Sequence, residues 1–312
     1  MLDVFDAPSG VKLSPADVQA DYILIDGSKR AEGERWLYEL FDTPDYCNLF
    51  DGTEWAQIRQ VAPLLVRVEQ GHPGLESLLM ELQALECGYG LISHESLDTV
   101  ASHLRQFIQV RHPLGHSVFL RFSDPAVARV LLAPSKDGGM PGYWSMINGV
   151  QLPDSLWDGW YCQRRDEAWT PDNGKTQAAS VATMYLLSDL TLTHLADVDR
   201  RVTLIRLVRH LDTYFPGWLA NERTALRIDT LRHLINEAIS NGYTSVQALT
   251  HWCTAFGCLG DLAAWDRVAP AVYRLFQTCP RETGGAEARQ AALMAMELAQ
   301  THNAGRAEQW EQ

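Results

Sequence analysis

Four groups of residues in this chain have types and spacings that could carry chemistry. The segment Thr170-Pro-Asp-Asn-Gly-Lys-Thr176 ends like a phosphate-binding loop, in which the lysine would meet phosphate and the hydroxyl a magnesium ion. The first glycine of such a loop would occupy position 169, which is Trp169, and no strand pattern feeds into it, so the segment reads as a polar linker. His94, His103, His112 and His116 raise the question of a metal site. His103 follows the helical face of His94 poorly, His112-Pro-Leu-Gly-His116 is a turn, and no nearby cysteine or carboxylate pattern completes a tetrahedral set. Asp26-Gly-Ser28 puts a carboxylate and a hydroxyl at a strand end, and Asp42, Asp45, Asp51 and Glu54 offer acid–base pairs. No Gly-x-Ser-x-Gly elbow exists, no histidine follows in a recognisable arrangement, and acidic residues at turns and helix starts serve first as caps. The last group is Val118-Phe-Leu-Arg-Phe-Ser-Asp-Pro125, which sets a single arginine in an apolar, strand-like run. Strand alternation puts Val118, Leu120 and Phe122 on one face and Phe119, Arg121 and Ser123 on the other, so Arg121 need not be buried. Asp124 then caps a helix whose first position suits Pro125.

Alternating short strands and helices position these groups. Strand-type runs occur at Tyr22–Asp26, Tyr46–Phe50, Leu64–Val68, Tyr89–Ile92 and Val118–Phe122. Between the third and fourth, Leu75, Leu78, Leu79, Leu82 and Leu85 repeat at helical spacing, and Leu97, Val100, Ala101, Leu104 and Ile108 do so before the fifth. Strands separated by helices of this length indicate a sheet with helices packed on it and substantial parallel pairing. Tyr143–Asn148 and Gly159–Gln163 add two strand patterns joined by a turn-rich stretch with Pro153. Beyond Pro171 only helical periodicity remains, in a long helix around Leu192–Leu211, a second closed by Asn241-Gly242, a third entered through a Thr244/Gln247 capping box, and a fourth over Val268–Thr278.

Length and charge narrow the function classes. With 312 residues, 46% hydrophobic and 21% charged, the chain is globular and long enough for two domains. A net charge of -13 argues against tracking nucleic-acid phosphates or docking on anionic membranes. There is no run of about 18 apolar residues, and the start Met-Leu-Asp-Val-Phe-Asp lacks signal-peptide regions, so a cytoplasmic protein is expected. Cys47, Cys87, Cys162, Cys253, Cys258 and Cys279 show no C-x-x-C pair and suit reduced core thiols. The aromatic group Tyr143, Trp144, Trp157, Trp160, Tyr161 and Trp169 either packs the protein or anchors a partner.

In order, Tyr22-Ile-Leu-Ile-Asp-Gly27, Leu49-Phe-Asp-Gly-Thr53, Ala62-Pro-Leu-Leu-Val66, Gly90-Leu-Ile-Ser93, His103-Leu-Arg105 and Leu120-Arg-Phe-Ser-Asp-Pro125 resemble the adaptor, or effector chaperone, family of type VI secretion. Ala238-Ile-Ser-Asn-Gly-Tyr-Thr244, with the Phe256-Gly257 turn after it, resembles that family's C-terminal region. The resemblance implies a protein that is not an enzyme, binds a toxic effector in the producing cell and helps load it onto the VgrG spike. Asp26, Arg105, Arg121 and Asp124 match recurring polar positions of the family, whereas Ser123 stands where many relatives carry another residue.

The expected architecture is an N-terminal α/β lobe over 1–170, with a mixed or mostly parallel sheet and a possible terminal hairpin, followed by an all-α lobe over 171–312. Arg105, Arg121, Trp144 and Trp160 are the expected partner contacts, and Asp26 and Asp124 the expected organisers of the lobe, with an ion pair from Arg121 to either carboxylate preferred over direct cargo contact. The expected partners are the cognate effector and the VgrG spike, with no nucleic acid, membrane, metal, cofactor or catalytic residue. The alternative is an α/β hydrolase or transferase with a site near Asp26 and Asp51.

Overall fold

The computed structural model describes residues 5–134, 137–165, 184–218, 222–260, 262–277 and 285–310. The chain divides into two compact units, Met1–Asp199 and Arg200–Gln312. The expected boundary at 170/171 and the phosphate-loop-like segment 170–176 lie outside the described residues.

The first unit runs β1 (Val11–Leu13), β2 (Tyr22–Ile25), α1 (Gly33–Leu40), β3 (Tyr46–Asn48), β4 (Leu64–Arg67), α2 (Pro73–Leu85), β5 (Gly88–Ile92), α3 (Leu97–Arg105), β6 (Gln109–Arg111), β7 (Ser117–Phe119), α4 (Pro125–Leu131), β8 (Gly149–Asp154) and β9 (Gly159–Arg164). Seven strands form one sheet in the order β1-β9-β8-β5-β2-β4-β3, and β6 and β7 pair separately. Every residue of β2 is buried, because it has helices on both sides. Ile23 and Ile25 join Trp36, Leu37, Leu78 and Leu82 of α1 and α2 in one core. Tyr22 and Leu24 join Val100, Leu104, Val127 and Leu131 of α3 and α4 in the other. The period-2 alternation of a single strand thus feeds two hydrophobic layers.

The named strands pair antiparallel throughout, which corrects the expected mixed or mostly parallel sheet; one isolated bridge, Arg111 to Leu186, is parallel. β4 and β5 do run in the same direction, joined by α2 as a crossover unit would be, but β2 lies between them and pairs antiparallel with both. The connecting helix reports the direction of two strands and not whether they are neighbours. The strand expected over 143–148 is a 3₁₀ turn, Pro141–Trp144, and the ladder begins at Gly149 instead. Pro153 is tolerated inside β8 because β5 pairs only with Gly149–Gln151, so the missing N–H costs no bond on that side.

The second unit is helical: the chain enters it within α5 (Asp189–Tyr214) and continues as α6 (Thr224–Ser240), α7 (Val246–Leu259), α8 (Trp265–Val268), α9 (Pro270–Gln277) and α10 (Gly285–Trp310). An N-terminal α/β lobe followed by an all-α lobe is therefore observed. Ser245, and not Thr244, caps α7, accepting from the Ala248 N–H at 3.1 Å. Ala288, Ala291, Ala292 and Ala295 form a buried small-residue face on α10, which packs along α7. The fourth expected helix is two, α8 and α9, broken at Ala269-Pro270.

Candidate functional site

The residues after α3 build a small hairpin. β6 and β7 pair in the register Gln109↔Phe119, Val110↔Val118 and Arg111↔Ser117. His112-Pro-Leu-Gly-His116 is the connecting turn, closed by His112 N–H to His116 C=O at 2.8 Å, with Gly115 at φ +91, where a side chain would be strained. The two histidine rings stack at 4.5 Å. Alternation then sorts the side chains. Val110 and Leu120 are buried, while Arg111, Ser117 and Phe119 face solvent. Phe119 is 46% exposed and Leu114, at the turn, 82%. Phe119 meets Trp55 edge-on at 5.6 Å and Phe50 at 5.8 Å. Beside them a groove of about 310 Å³ is lined by Trp55, Ile108, Gln109 and Met184, with Arg105 and Glu54 as its charged residues. Leu186 and Met184 add further exposed apolar surface.

Next to this surface stands a cluster of ion pairs. The β2 strand ends at Asp26, whose carboxylate accepts from Ser28 N–H at 2.9 Å, Ser28 Oγ–H at 2.6 Å and Arg121 Nη2 at 2.9 Å. Arg121 also lies 3.4 Å from Asp124, and Lys29 lies 2.9 Å from the same carboxylate. Asp124 caps α4 through the Ala126 N–H at 3.0 Å, so one side chain both starts a helix and anchors two cations. Burial works against the charge on Arg121, but Asp26 above all, with Asp124 and Asp199, raises its pKa above the ordinary arginine value. Both carboxylates are buried, whereas the Arg121 side chain is 47% exposed. Below the cluster, the Tyr89 hydroxyl donates to Phe122 C=O at 2.9 Å and pairs closely with the Tyr143 hydroxyl. Burial raises both tyrosine pKa values, so the pair stays neutral.

The sequence-predicted residues separate into three fates. Asp26, Arg121 and Asp124 converge in the ion-pair cluster. Arg105 lines the groove, but its guanidinium donates inward, to Leu49 C=O at 3.1 Å, Asn48 C=O at 3.4 Å and the Cys47 sulfur at 3.2 Å. Trp144 and Trp160 are buried, at 7% and 0% exposure, and present no face to a partner as the chain stands. Trp144 donates its indole N–H to Leu132 C=O at 3.3 Å, and Trp160, on β9 next to the edge strand, sits between Leu13 of β1 and Pro153 of β8. Trp55, Phe119, Arg111 and Met184 were not singled out as contacts by sequence. Their signal was present in part, since alternation had already placed Phe119 on the outer face with Arg121.

Other groups with chemical potential are occupied. Asp51 pairs with Arg59 at 3.3 Å, so it and Asp26 each have their own cation. A recess of about 450 Å³ gathers Asp21, Arg67, Glu69, His94 and Glu95, but the Asp21 carboxylate already accepts from Ser93 N–H at 3.0 Å, and Arg67 lies over the Tyr22 ring. His103 is a core residue bonded to Tyr143 C=O at 3.0 Å, and burial holds its pKa below the ordinary value. No group of three metal-ligating side chains occurs among the described residues. The described cysteines are free thiols, and burial pushes Cys87 and Cys253 up to about 12. Cys279 and Trp169 lie outside the described residues. Among the described residues no helix is long and apolar enough to cross a membrane.

The motifs that resemble the type VI secretion effector adaptors, from Tyr22 to Pro125, lie on this sheet, its helices and the ion-pair cluster. Residues 22–138 match the family described as domain of unknown function DUF4123, which spans β2 through α4 and so contains both the hairpin and the ion-pair cluster. Over 281 residues, 90% of this chain and 89% of the other, the sequence is 26% identical to accessory protein VasW of Vibrio cholerae serotype O1. That similarity extends beyond the DUF4123 region into the helical unit. No solved structure matches the chain.

Proposed function

We propose that the protein is a cytoplasmic adaptor of type VI secretion, which binds a toxic effector in the producing cell and helps load it onto the VgrG spike. The observation that carries this reading is the hairpin surface. Phe119 and Leu114 are large apolar side chains left exposed within the DUF4123 region, beside the Trp55 groove, and Met184 and Leu186, outside that region, add exposed apolar surface. Exposed apolar surface that clusters around an aromatic pair marks a protein-binding site better than a catalytic one. The adaptor works by binding energy alone: Trp55 and Phe119 bury against cargo, and the cluster of Asp26, Lys29, Arg121 and Asp124 fixes the base of the hairpin from which Phe119 projects. Similarity to an accessory protein over nine-tenths of both chains supports the same reading.

The test is co-expression of the full chain with the effector and spike encoded beside it, each partner tagged in turn. The reading predicts that the effector co-purifies with the adaptor and that Phe119→Glu, which keeps the strand but places a charge in the apolar patch, abolishes capture. Folded, soluble effector and spike that both fail to bind the wild-type chain would contradict it.

A further inference from the structure

We infer that the cargo segment captured here is an extended, acidic strand that adds to the open edge of β7; the inference rests on the adaptor reading for the identity of the partner. The backbone pattern identifies the edge. Leu120 N–H bonds to Ile108 C=O at 3.0 Å and His112 N–H to His116 C=O at 2.8 Å. In an antiparallel pair the bonded positions alternate, so Val118 faces β6 while the N–H and C=O groups of Ser117 and Phe119 point away from it. No described residue bonds to those outward groups. The far edge of β6 is already used, since Arg111 N–H donates to Tyr185 C=O at 2.7 Å and Leu187 N–H to Arg111 C=O at 2.9 Å. Natural proteins guard an exposed edge with lysine, proline, a bulge or a short strand; Ser117-Val-Phe119 is short but carries no lysine, proline or bulge. An edge left open beside exposed aromatic rings is suited to strand addition by a peptide.

Charge selects the kind of strand. The chain is acidic overall, yet none of its 39 Asp and Glu residues lies between positions 99 and 123, a stretch that holds Arg105, Arg111 and Arg121. Arg111 is exposed beside Ser117, and neither it nor Arg105 makes an ion pair among the described residues. A strand added at β7 with carboxylates on the face that Arg111 and Phe119 share would meet the Arg111 cation, while its alternate apolar side chains lay on the Val118 face. A lysine-bearing strand would instead bring like charge to Arg111.

The experiment uses the full-length protein and two synthetic probes, Ac-Thr-Glu-Val-Glu-Val-Glu-Thr-NH₂ and the same peptide with lysine for glutamate. Amide exchange is followed residue by residue. In the free protein Ser117 and Phe119 amides exchange rapidly; the acidic peptide slows both, its affinity falls as salt rises, and the lysine peptide binds at least about tenfold more weakly. Arg111→Glu, at an exposed position without an ion pair, weakens the acidic peptide at least about tenfold while leaving exchange in β2 and α4 unchanged. Protection of the Phe119 amide in the free protein, no slowing at millimolar acidic peptide, or equal binding of the lysine peptide would overturn the inference. Co-purification of the natural effector separates the two claims. An effector that binds but protects other amides removes the strand site alone, and a peptide that binds where no effector does removes the adaptor reading alone.

Discussion

Replacing Asp26 by asparagine isolates the charge that holds the hairpin base. The carboxylate is 3% exposed and accepts three hydrogen bonds, two from Ser28 and one from Arg121 at 2.9 Å. Asparagine keeps one oxygen for the Ser28 donors and turns an N–H₂ group toward Arg121, so the loss is the charged bond and the attraction behind it. A hydrogen bond to a charged group contributes about 1.5–3 kcal/mol, and breaking a fully buried pair costs about 3–5 kcal/mol. Arg121 is half exposed and water replaces part of the lost interaction, which brings the expected cost to about 1.5 kcal/mol. In hydrogen exchange that is roughly tenfold faster opening of β2 and α4 amides. Arg121→Met removes the same bond from its other end and should accelerate the same amides to a similar degree. The double variant should then fall short of the sum of the singles by about 1 kcal/mol, because both delete one interaction. Exchange within twofold of wild type in both singles, or strict additivity, would refute the assignment of Asp26 and Arg121 as an organising pair.

Three further outcomes follow from the same packing. Trp160→Ala should cost about 3–5 kcal/mol in urea unfolding, while Trp160→Phe should cost less than about 1.5 kcal/mol, since the indole N–H has no bond to lose; equal costs would show that the site tolerates a void. Gly27→Ala should destabilise by about 1–3 kcal/mol, because a Cβ there would stand 2.2 Å from Ala62 C=O, and an unchanged urea midpoint would contradict that close approach. Burial keeps the folded pKa of His103 below its ordinary 6.5, so the unfolded chain takes up its proton first as pH falls. Stability should therefore decline below about pH 6.5, and His103→Gln should flatten the decline in urea midpoints measured between pH 7.5 and 5; an identical slope in the variant would exclude His103 as its source.

How much of this was legible in the sequence depended on which physical signal each element used. β2, α2 and α6 were readable because long apolar stripes at periods of 2 and 3.6 are local properties. The outer position of Phe119 and Arg121, and the capping role of Asp124, were readable for the same reason. Pairing order was not, because β4 and β5 satisfy the same local pattern whether adjacent or separated by β2. The hairpin was missed in part because β6 and β7 have three residues each, too few for alternation to stand out, and the His112–His116 turn was weighed only against metal binding. Trp144 and Trp160 misled because residue type states what a tryptophan can anchor, whereas its burial is decided by strands far away in sequence. Trp160 is covered by β1, whose Leu13 is its cross-strand partner.

Size-exclusion chromatography with light scattering, on the protein and its candidate effector expressed together, tests the central claim most directly when wild type is compared with Phe119→Glu. The account predicts a stable wild-type complex and a variant that stays folded but elutes apart from the effector. A Phe119→Glu protein that still forms the full complex would contradict the placement of cargo on the hairpin surface.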